Sequence, residues 1–255
     1  MLKVEKLNKH FISGVIKRHR TDAVKEVSFE IPEGKILGLA GNSGCGKSTV
    51  ARLLMRLIQP DSGQVFLDGE EISALSMAQM KARRTKMQII FQHPESSLDP
   101  HKKILSSLLE PMTIHRIGAD REERIGRIEQ QFERVGLKNN LFDRYPHQIS
   151  GGEAQRIIIS RAMTLDPRVL ILDEPTSMLD VSIQAHVMNI LKDLQKEKNM
   201  TYLFISHDLE VLHWFCDEIC VMKEGEIVER GGRDEIVKNP KHPFTRELVE
   251  SFCSF

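Results

Sequence analysis

Gly41-Asn42-Ser43-Gly44-Cys45-Gly46-Lys47-Ser48-Thr49 decides how this chain of 255 residues is read. Gly41 and Gly46 stand five apart and Lys-Ser follows, which is the spacing of a phosphate-binding loop. Lys35 to Ala40 before it is short and largely apolar, as a buried strand would be. After it, Val50, Leu53, Leu54, Leu57 and Ile58 give Ser48 to Ile58 one apolar helical face. The loop therefore lies between a strand and a helix N-terminus, the context the motif requires. Its glycines let backbone N–H groups turn inward on phosphate oxygens, and the helix start adds partial positive charge. Lys47 can reach the β- and γ-phosphates, and Ser48 can ligate Mg²⁺. A glycine-rich turn that binds nothing would not need the lysine, the hydroxyl and both flanking elements. The site expected is one for a nucleoside triphosphate.

Composition narrows the class. Hydrophobic residues make up 40% of the chain, enough to build a core in one large domain or in a domain with an inserted lobe. Lys plus Arg equals Asp plus Glu at 36 each, which argues against a nucleic-acid coat or a polybasic membrane anchor. No apolar run approaches about 18 residues, so no membrane span is expected. Met1 to Glu5 is charged and lacks the apolar region of a secretion signal. Cys45, Cys216, Cys220 and Cys253 make no dense disulfide framework, which favours a reducing, cytosolic setting. Cys216, Cys220 and His213 suggest a metal site only weakly. The two-residue cysteine spacing and a second Cys/His pair are missing.

Residues 2 to 31 read as β-structure. Val24, Val27, Phe29 and Ile31 are its apolar positions, and Pro32-Glu33-Gly34 makes a turn. Phe11 stands alone in a polar stretch, either to stack on a base or to anchor a core. Lys17-Arg18-His19-Arg20 reads as a solvated basic loop. Gln64 to Ile72 is a hairpin turning at Asp68-Gly69, and Met87 to Phe91 is a strand ending at Gln92. That glutamine either caps the sheet or serves a metal or a water. From His93 to about Gln148 polar helices dominate, among them Ala119 to Val135, as in an inserted lobe. Ser150 and Glu153 form a capping box. Gly151 and Gly152 are poor helix formers, so something must approach their backbone closely, a second phosphate being one candidate.

Val169-Leu170-Ile171-Leu172-Asp173-Glu174 is a buried strand whose end delivers two carboxylates. In a parallel α/β sheet ligands gather at such strand ends. Asp173 suits Mg²⁺ and Glu174 suits the attacking water. Thr201 to Ile205 is the next strand, and Ser206-His207-Asp208 follows it, His207 being placed to touch the γ-phosphate or merely to precede a helix. Residues 218 to 231 give strands turning at Glu224-Gly225, and Asn239 to Phe244 lead into a short terminal helix.

This ordered set resembles the ATP-binding-cassette ATPases over the whole chain. Gly41 to Thr49 matches the Walker A loop, and Val169 to Glu174 matches Walker B with its catalytic glutamate. Gln92 matches the Q-loop, Ser150-Gly151-Gly152-Glu153 the signature, Asp180 the D-loop and His207 the switch histidine. Phe11 falls where the family places its base-stacking aromatic. Glu153 replaces the usual Gln and Met178 a smaller residue, but neither removes a phosphate ligand. The resemblance implies an α/β fold with a RecA-like P-loop core, an N-terminal antiparallel β-lobe and an inserted helical lobe. The division expected is 1–93 and 161–255 for the core with its β-lobe, and 94–160 for the helical lobe. It implies ATP and Mg²⁺, the metal held by Ser48, Gln92 and Asp173, with Glu174, His207 and Gln92 catalytic. It also implies two subunits, from one chain or two sibling chains, sandwiching two ATP molecules. Ser150 to Glu153 and Asp180 would then reach the facing subunit's nucleotide.

Two segments narrow the resemblance to the oligopeptide, dipeptide and nickel importers: Phe91 to Pro100 and Asn239 to Leu248. Asp99 stands where Asn is commoner. Many peptide members carry a long cysteine-containing tail, so the short tail here looks more like the nickel and metal-chelate members, and nickel is expected ahead of peptides. The subfamily implies separate transmembrane permease subunits, a substrate-binding protein acting through them, and a peripheral place on the cytoplasmic face. An exporter subunit is an alternative that the subfamily segments disfavour. A soluble cassette of DNA repair or translation is another, but two cassettes or a coiled-coil insertion are not seen.

Overall fold

The computed structural model describes residues 1–13 and 19–252, so Lys17 and Arg18 of the basic run, and Cys253, lie outside the described residues. The chain opens with two long antiparallel strands, β1 (Leu2–Ser13) and β2 (His19–Ile31). Next come β3 (Ile36–Ala40) and α1 (Lys47–Leu54), and then the hairpin of β4 (Ser62–Leu67) and β5 (Glu70–Glu71). A short helix, α2 (Met77–Arg83), leads to β6 (Met87–Ile90). Helices α3 (Ile104–His115), α4 (Arg121–Arg134) and α5 (Gly151–Met163) follow with no strand between them among the described residues. The remaining chain alternates: β7 (Val169–Asp173), α6 (Val181–Lys198), β8 (Thr201–Ile205), α7 (Leu209–Phe215). It closes with β9 (Glu218–Lys223), β10 (Glu226–Gly232), α8 (Arg233–Lys238) and α9 (Pro243–Phe252).

Two sheets result. The smaller is antiparallel, in the order β2-β1-β4-β5, and the larger runs β10-β9-β3-β8-β7-β6. In the larger sheet β9, β3, β8, β7 and β6 are parallel and β10 is an antiparallel edge. The β4–β5 and β9–β10 hairpins turn through two residues of positive φ, Asp68-Gly69 and Glu224-Gly225, as tight turns matched to strand twist require.

Strand parity explains the layers, because successive side chains of a strand point to opposite faces. Leu37 and Leu39 of β3, Val169 and Ile171 of β7, and Leu203 and Ile205 of β8 share one core with α1 and the small sheet. Their alternates Ile36, Leu170, Leu172, Tyr202 and Phe204 join the other core, with α3 to α7. The central strands are thus covered on both faces, which is why they read as unbroken apolar runs.

One sequence expectation changes. The helix read as Ser48 to Ile58 stops at Leu54, and Leu57 is exposed. Arg56 adopts a left-handed backbone, φ 51°. The Leu57 N–H donates to Arg52 O at 2.9 Å and the Arg56 N–H to Leu53 O at 3.0 Å, closing a Schellman-type terminus. The buried Arg56 guanidinium then donates to Ile72 O and Leu75 O. No helix among the described residues is long and apolar enough to cross a membrane.

The core on the α3 to α7 side is continuous from the inserted helices to the sheet. Phe132 of α4 is fully buried in it and packs on Phe142 with ring centroids 4.9 Å apart. Phe132→Ala should therefore cost about 3–5 kcal/mol of global stability. Urea unfolding should show a lower midpoint with one transition. A loss near zero would mean that this helix does not share the main core.

Candidate active site

The phosphate-binding stretch forms the loop between β3 and α1, as expected. Gly46 cannot be another residue. Its φ is +111°, and a Cβ there would lie 2.1 Å from Ala23 O on β2. The loop is pinned from the other side as well, since the Gly225 N–H donates to Cys45 O at 3.0 Å. Lys47 is only 5% exposed, and its Nζ donates to Gly41 O at 2.6 Å and Asn42 O at 3.0 Å. A buried cation thus sits against the loop. Burial, before the opposing influence of Lys47, pushes the Cys45 thiol up.

Asp173 ends β7 on the same face as Val169 and Ile171, which is the face α1 covers. There Ser48 Oγ donates to Asp173 Oδ1 at 3.0 Å. Asp173 is 5% exposed, and burial above all pushes its carboxyl up; Ser48, Arg52 and Lys47 work against that rise. A hydroxyl and a carboxylate side by side are hard oxygen donors of the kind that suits Mg²⁺, so the residues present fit that ion.

Glu174 follows with φ 49°, and its N–H donates to Ile205 O at 3.0 Å. The turn brings three strand ends together at one oxygen. Gln92, two residues past β6, donates from Nε2 to Glu174 Oε2 at 3.1 Å. His207, two residues past β8, places Nδ1 at 3.3 Å from the same oxygen. Gln92 Nε2 also meets Ser177 Oγ at 3.3 Å. The cap of α7 is Asp208, whose Oδ1 accepts from the N–H groups of Glu210 and Val211, and His207 is left to the site.

Asn42 to Thr49, Gln92, Glu174 and His207 line one cavity of about 950 Å³. Its far wall was not legible in the sequence. Thr21 to Ala23 and Lys25 of β2, the Glu224-Gly225 turn, and Leu248 and Ser251 of α9 complete it. These come from distant segments and belong to no spaced motif. Phe11 is not in that lining. It is 43% exposed on β1, which removes the core-anchor alternative, and its register partner is the cavity residue Thr21.

The family profile described as ABC transporter matches residues 24–177. The chain is also 43% identical to the oligopeptide transport ATP-binding protein OppF of Bacillus subtilis. That likeness runs over 252 residues, 98% of this chain and 82% of that protein. This chain belongs to the ABC transporter ATPase family. The dipeptide transport ATP-binding protein DppF of Escherichia coli is 44% identical over 229 residues, 90% of this chain and 68% of that protein. Among solved structures, the ATP-binding cassette MJ0796, dimeric in a post-hydrolysis state with ADP and Pi, superposes with a TM-score of 0.83 at 30% identity. That match covers 91% of this chain and 99% of the other. The cassette cbiO1 of Clostridium perfringens, part of the transporter complex cbiONQ, gives 0.80 at 28% identity, covering 93% and 90%. As a member of this family the ABC ATPase hydrolyses ATP with Mg²⁺.

The signature residues lie apart from the cavity. Ser150 caps α5: its Oγ accepts from the Glu153 N–H at 3.3 Å, while the Ser150 N–H donates to Glu153 Oε2 at 2.9 Å. That backbone bond first, and then the Ser150 hydroxyl donating to Glu153 Oε2 at 2.9 Å, hold the Glu153 carboxyl below its ordinary range despite partial burial. The close approach expected at the two glycines is met within the chain at one of them. A Cβ on Gly152 would lie 2.7 Å from Ile183 Cγ2 of α6. At Gly151 the nearest atoms, on Glu95 and Leu179, would be 3.8 Å away. Asp180 is exposed before α6 and makes no side-chain cap bond.

Lys47→Ala removes a charge-assisted phosphate contact, worth roughly 1.5–3 kcal/mol. ATP affinity should fall about tenfold or more, and hydrolysis should stop. Unchanged ATPase activity in the purified variant would remove the loop from the site.

Proposed function

We propose that this ABC ATPase is the peripheral subunit that energises uptake of peptides through separate membrane-spanning permease subunits. It would sit on the cytoplasmic face, with an extracytoplasmic substrate-binding protein acting through the permease. The observation that carries the ATPase reading is the meeting of Gln92 and His207 on Glu174 Oε2, beside the Ser48–Asp173 pair. The peptide reading rests on OppF and DppF, named for oligopeptide and dipeptide transport. Nickel, expected from the short tail, draws no comparable support from these relatives, so peptides take its place.

In this reading the backbone N–H groups of Gly41 to Thr49 and the Lys47 ammonium hold the phosphates. Ser48 Oγ, the Asp173 carboxylate and Gln92 Oε1 would hold Mg²⁺, since Gln92 spends its N–H donors on Glu174 and Ser177. Bound there, the ion supplies charge neutralisation on the phosphate oxygens. Glu174 accepts a hydrogen bond from water and draws on its proton as the water oxygen attacks the γ-phosphorus, whose bond to the β–γ bridging oxygen breaks so that ADP and phosphate leave. His207 steadies the carboxylate and faces the γ-phosphate. Ser150 to Glu153 and Asp180, outside this chain's cavity, would clamp the nucleotide of a second ATPase subunit, identical or sibling.

Coupling would run through the segment after Gln92. Arg161 of α5 donates from Nη1 to Ser97 O at 2.7 Å, which ties that segment to the helix capped by Ser150. Arg161 is the first residue past the proposed lobe at 94–160, so the bond links Ser97 of that lobe to the helix whose first turn carries the signature. A cysteine placed at Ser97 should crosslink to a permease subunit in the assembled transporter. Failure at every position from Ser97 to Pro100 would count against this contact.

Glu174→Gln keeps the shape and loses the basicity. Hydrolysis should drop roughly 10²–10⁴-fold, the scale of a positioned general base. ATP binding should persist, and the trapped nucleotide should hold a closed dimer in sedimentation. Adding Ser150→Arg to both subunits should reopen it. Identical dimers with and without Ser150→Arg would exclude the clamp; no dimer in either, with ATP bound, would exclude the sandwich or the choice of partner.

A further inference from the structure

The contacts at the root of the β1–β2 arm have no part in the scheme above. Phe11 lies beyond that root, and the Lys9 ammonium sits over its ring, 5.7 Å from the centroid. The arm is not a regular ladder. Lys6 and Glu26 both adopt left-handed backbone, φ 44° and 45°, and the β1–β2 register shifts between Val4 and Leu7, Leu7 and Lys9, and Lys9 and His10. Such bulges re-aim the residues that follow them. Asn8 bridges the two strained positions: its Oδ1 accepts from the Glu26 N–H at 3.0 Å, and its Nδ2 donates to Lys6 O at 2.8 Å.

Asp61, on the loop entering β4, grips the three residues from Asn8 to His10. Its N–H donates to Asn8 O at 2.9 Å. Its Oδ1 accepts from Lys9 Nζ at 2.8 Å. Its Oδ2 accepts from the His10 N–H at 2.6 Å and lies 2.6 Å from His10 Nδ1. Burial works against its ionised form, yet the bonds from Lys9 and His10 keep the carboxyl below its ordinary range.

We infer that Asp61 is a positioning residue for nucleotide recognition, holding β1 and the Lys9 ammonium so that Phe11 offers one ring face to the adenine. The cation occupies the other face, where the ring quadrupole attracts it, and the carboxylate keeps the cation there. The inference rests on Phe11 being the base platform. It adds a residue from a different segment, the loop entering β4, which touches neither base nor phosphate.

The test compares ATP with ribose 5′-triphosphate, which keeps the phosphates and lacks the base. Affinities for both are measured by calorimetry on the purified chain, for wild type, Phe11→Ala, Asp61→Ala, Asp61→Asn and the double alanine variant. Phe11→Ala should weaken ATP by about fivefold or more, the scale of base–aromatic stacking, and leave ribose 5′-triphosphate unchanged. Asp61→Ala should lose about threefold or more on ATP alone, as a fraction of the same stacking. Asp61→Asn keeps an acceptor for the His10 N–H but not the charge facing Lys9, so it should fall between. The double variant should be no worse than Phe11→Ala, because both changes act through one contact. Equal weakening of both ligands by Asp61→Ala would reduce Asp61 to a fold residue and overturn the inference. So would an unchanged ATP preference in Asp61→Ala while Phe11→Ala loses it. If Phe11→Ala itself keeps the full preference, the platform reading falls first and this inference with it.

Discussion

The Ser48–Asp173 hydrogen bond is the constraint around which the site is arranged. It joins the first turn of α1 to the last residue of β7, 125 residues apart. A carboxylate as buried as Asp173 is costly without partners, because an ion loses its hydration in the interior. Ser48 supplies one such partner, with the Lys47 ammonium beside it on the same first turn. The sheet order places β8 between β3 and β7, and the loop leaving β3 carries the first turn of α1 to the end of β7. Reversing β7 would carry the carboxylate to the opposite end of the sheet.

The same parity that buries Val169 and Ile171 under α1 turns Leu170 and Leu172 toward the helices on the other face. Glu174 breaks this alternation. Its left-handed backbone lifts it out of the strand to where β6 and β8 deliver Gln92 and His207. Two adjacent acids therefore experience different surroundings. Asp173 is buried among cations and a hydroxyl, while Glu174 is shared by an amide and an imidazole at the cavity wall.

Much of this was legible because it is local. The P-loop spacing, the apolar runs ending in acids, both hairpin turns and the Ser150–Glu153 box each follow from neighbours within a few residues. What escaped was decided at long range. Leu57 fits the period of α1, yet Arg56 ends that helix because its guanidinium finds carbonyls on the segment after β5. Gly152 packs against Ile183, 31 positions further on, a contact that none of its sequence neighbours announces. The parity of β2 slips between Val24 and Val27 because of a bulge at Glu26 that only its partner strand reveals. The cavity walls from β2 and α9 carry no motif, since backbone proximity rather than side-chain chemistry puts them there.

The arrangement also bears on the proposed pairing of two subunits. Lys47, Ser48, Asp173 and Glu174 stand on the rigid sheet and its first helix, already in contact with their partners. Ser150, Gly151 and Asp180 stand on another surface, where Met178 and Val181 are 64% and 83% exposed. Large apolar side chains so exposed beside Asp180, which makes no cap bond, are what an intermittent interface leaves uncovered. In the proposed pairing, nucleotide would complete that surface only when a second subunit closes on it. Hydrolysis would then be gated by association rather than by any rearrangement of Glu174. The Arg161–Ser97 bond gives the same surface a mechanical link to the segment proposed to meet the permease. Closure at the signature and movement at the membrane contact would then be two ends of one helix, α5.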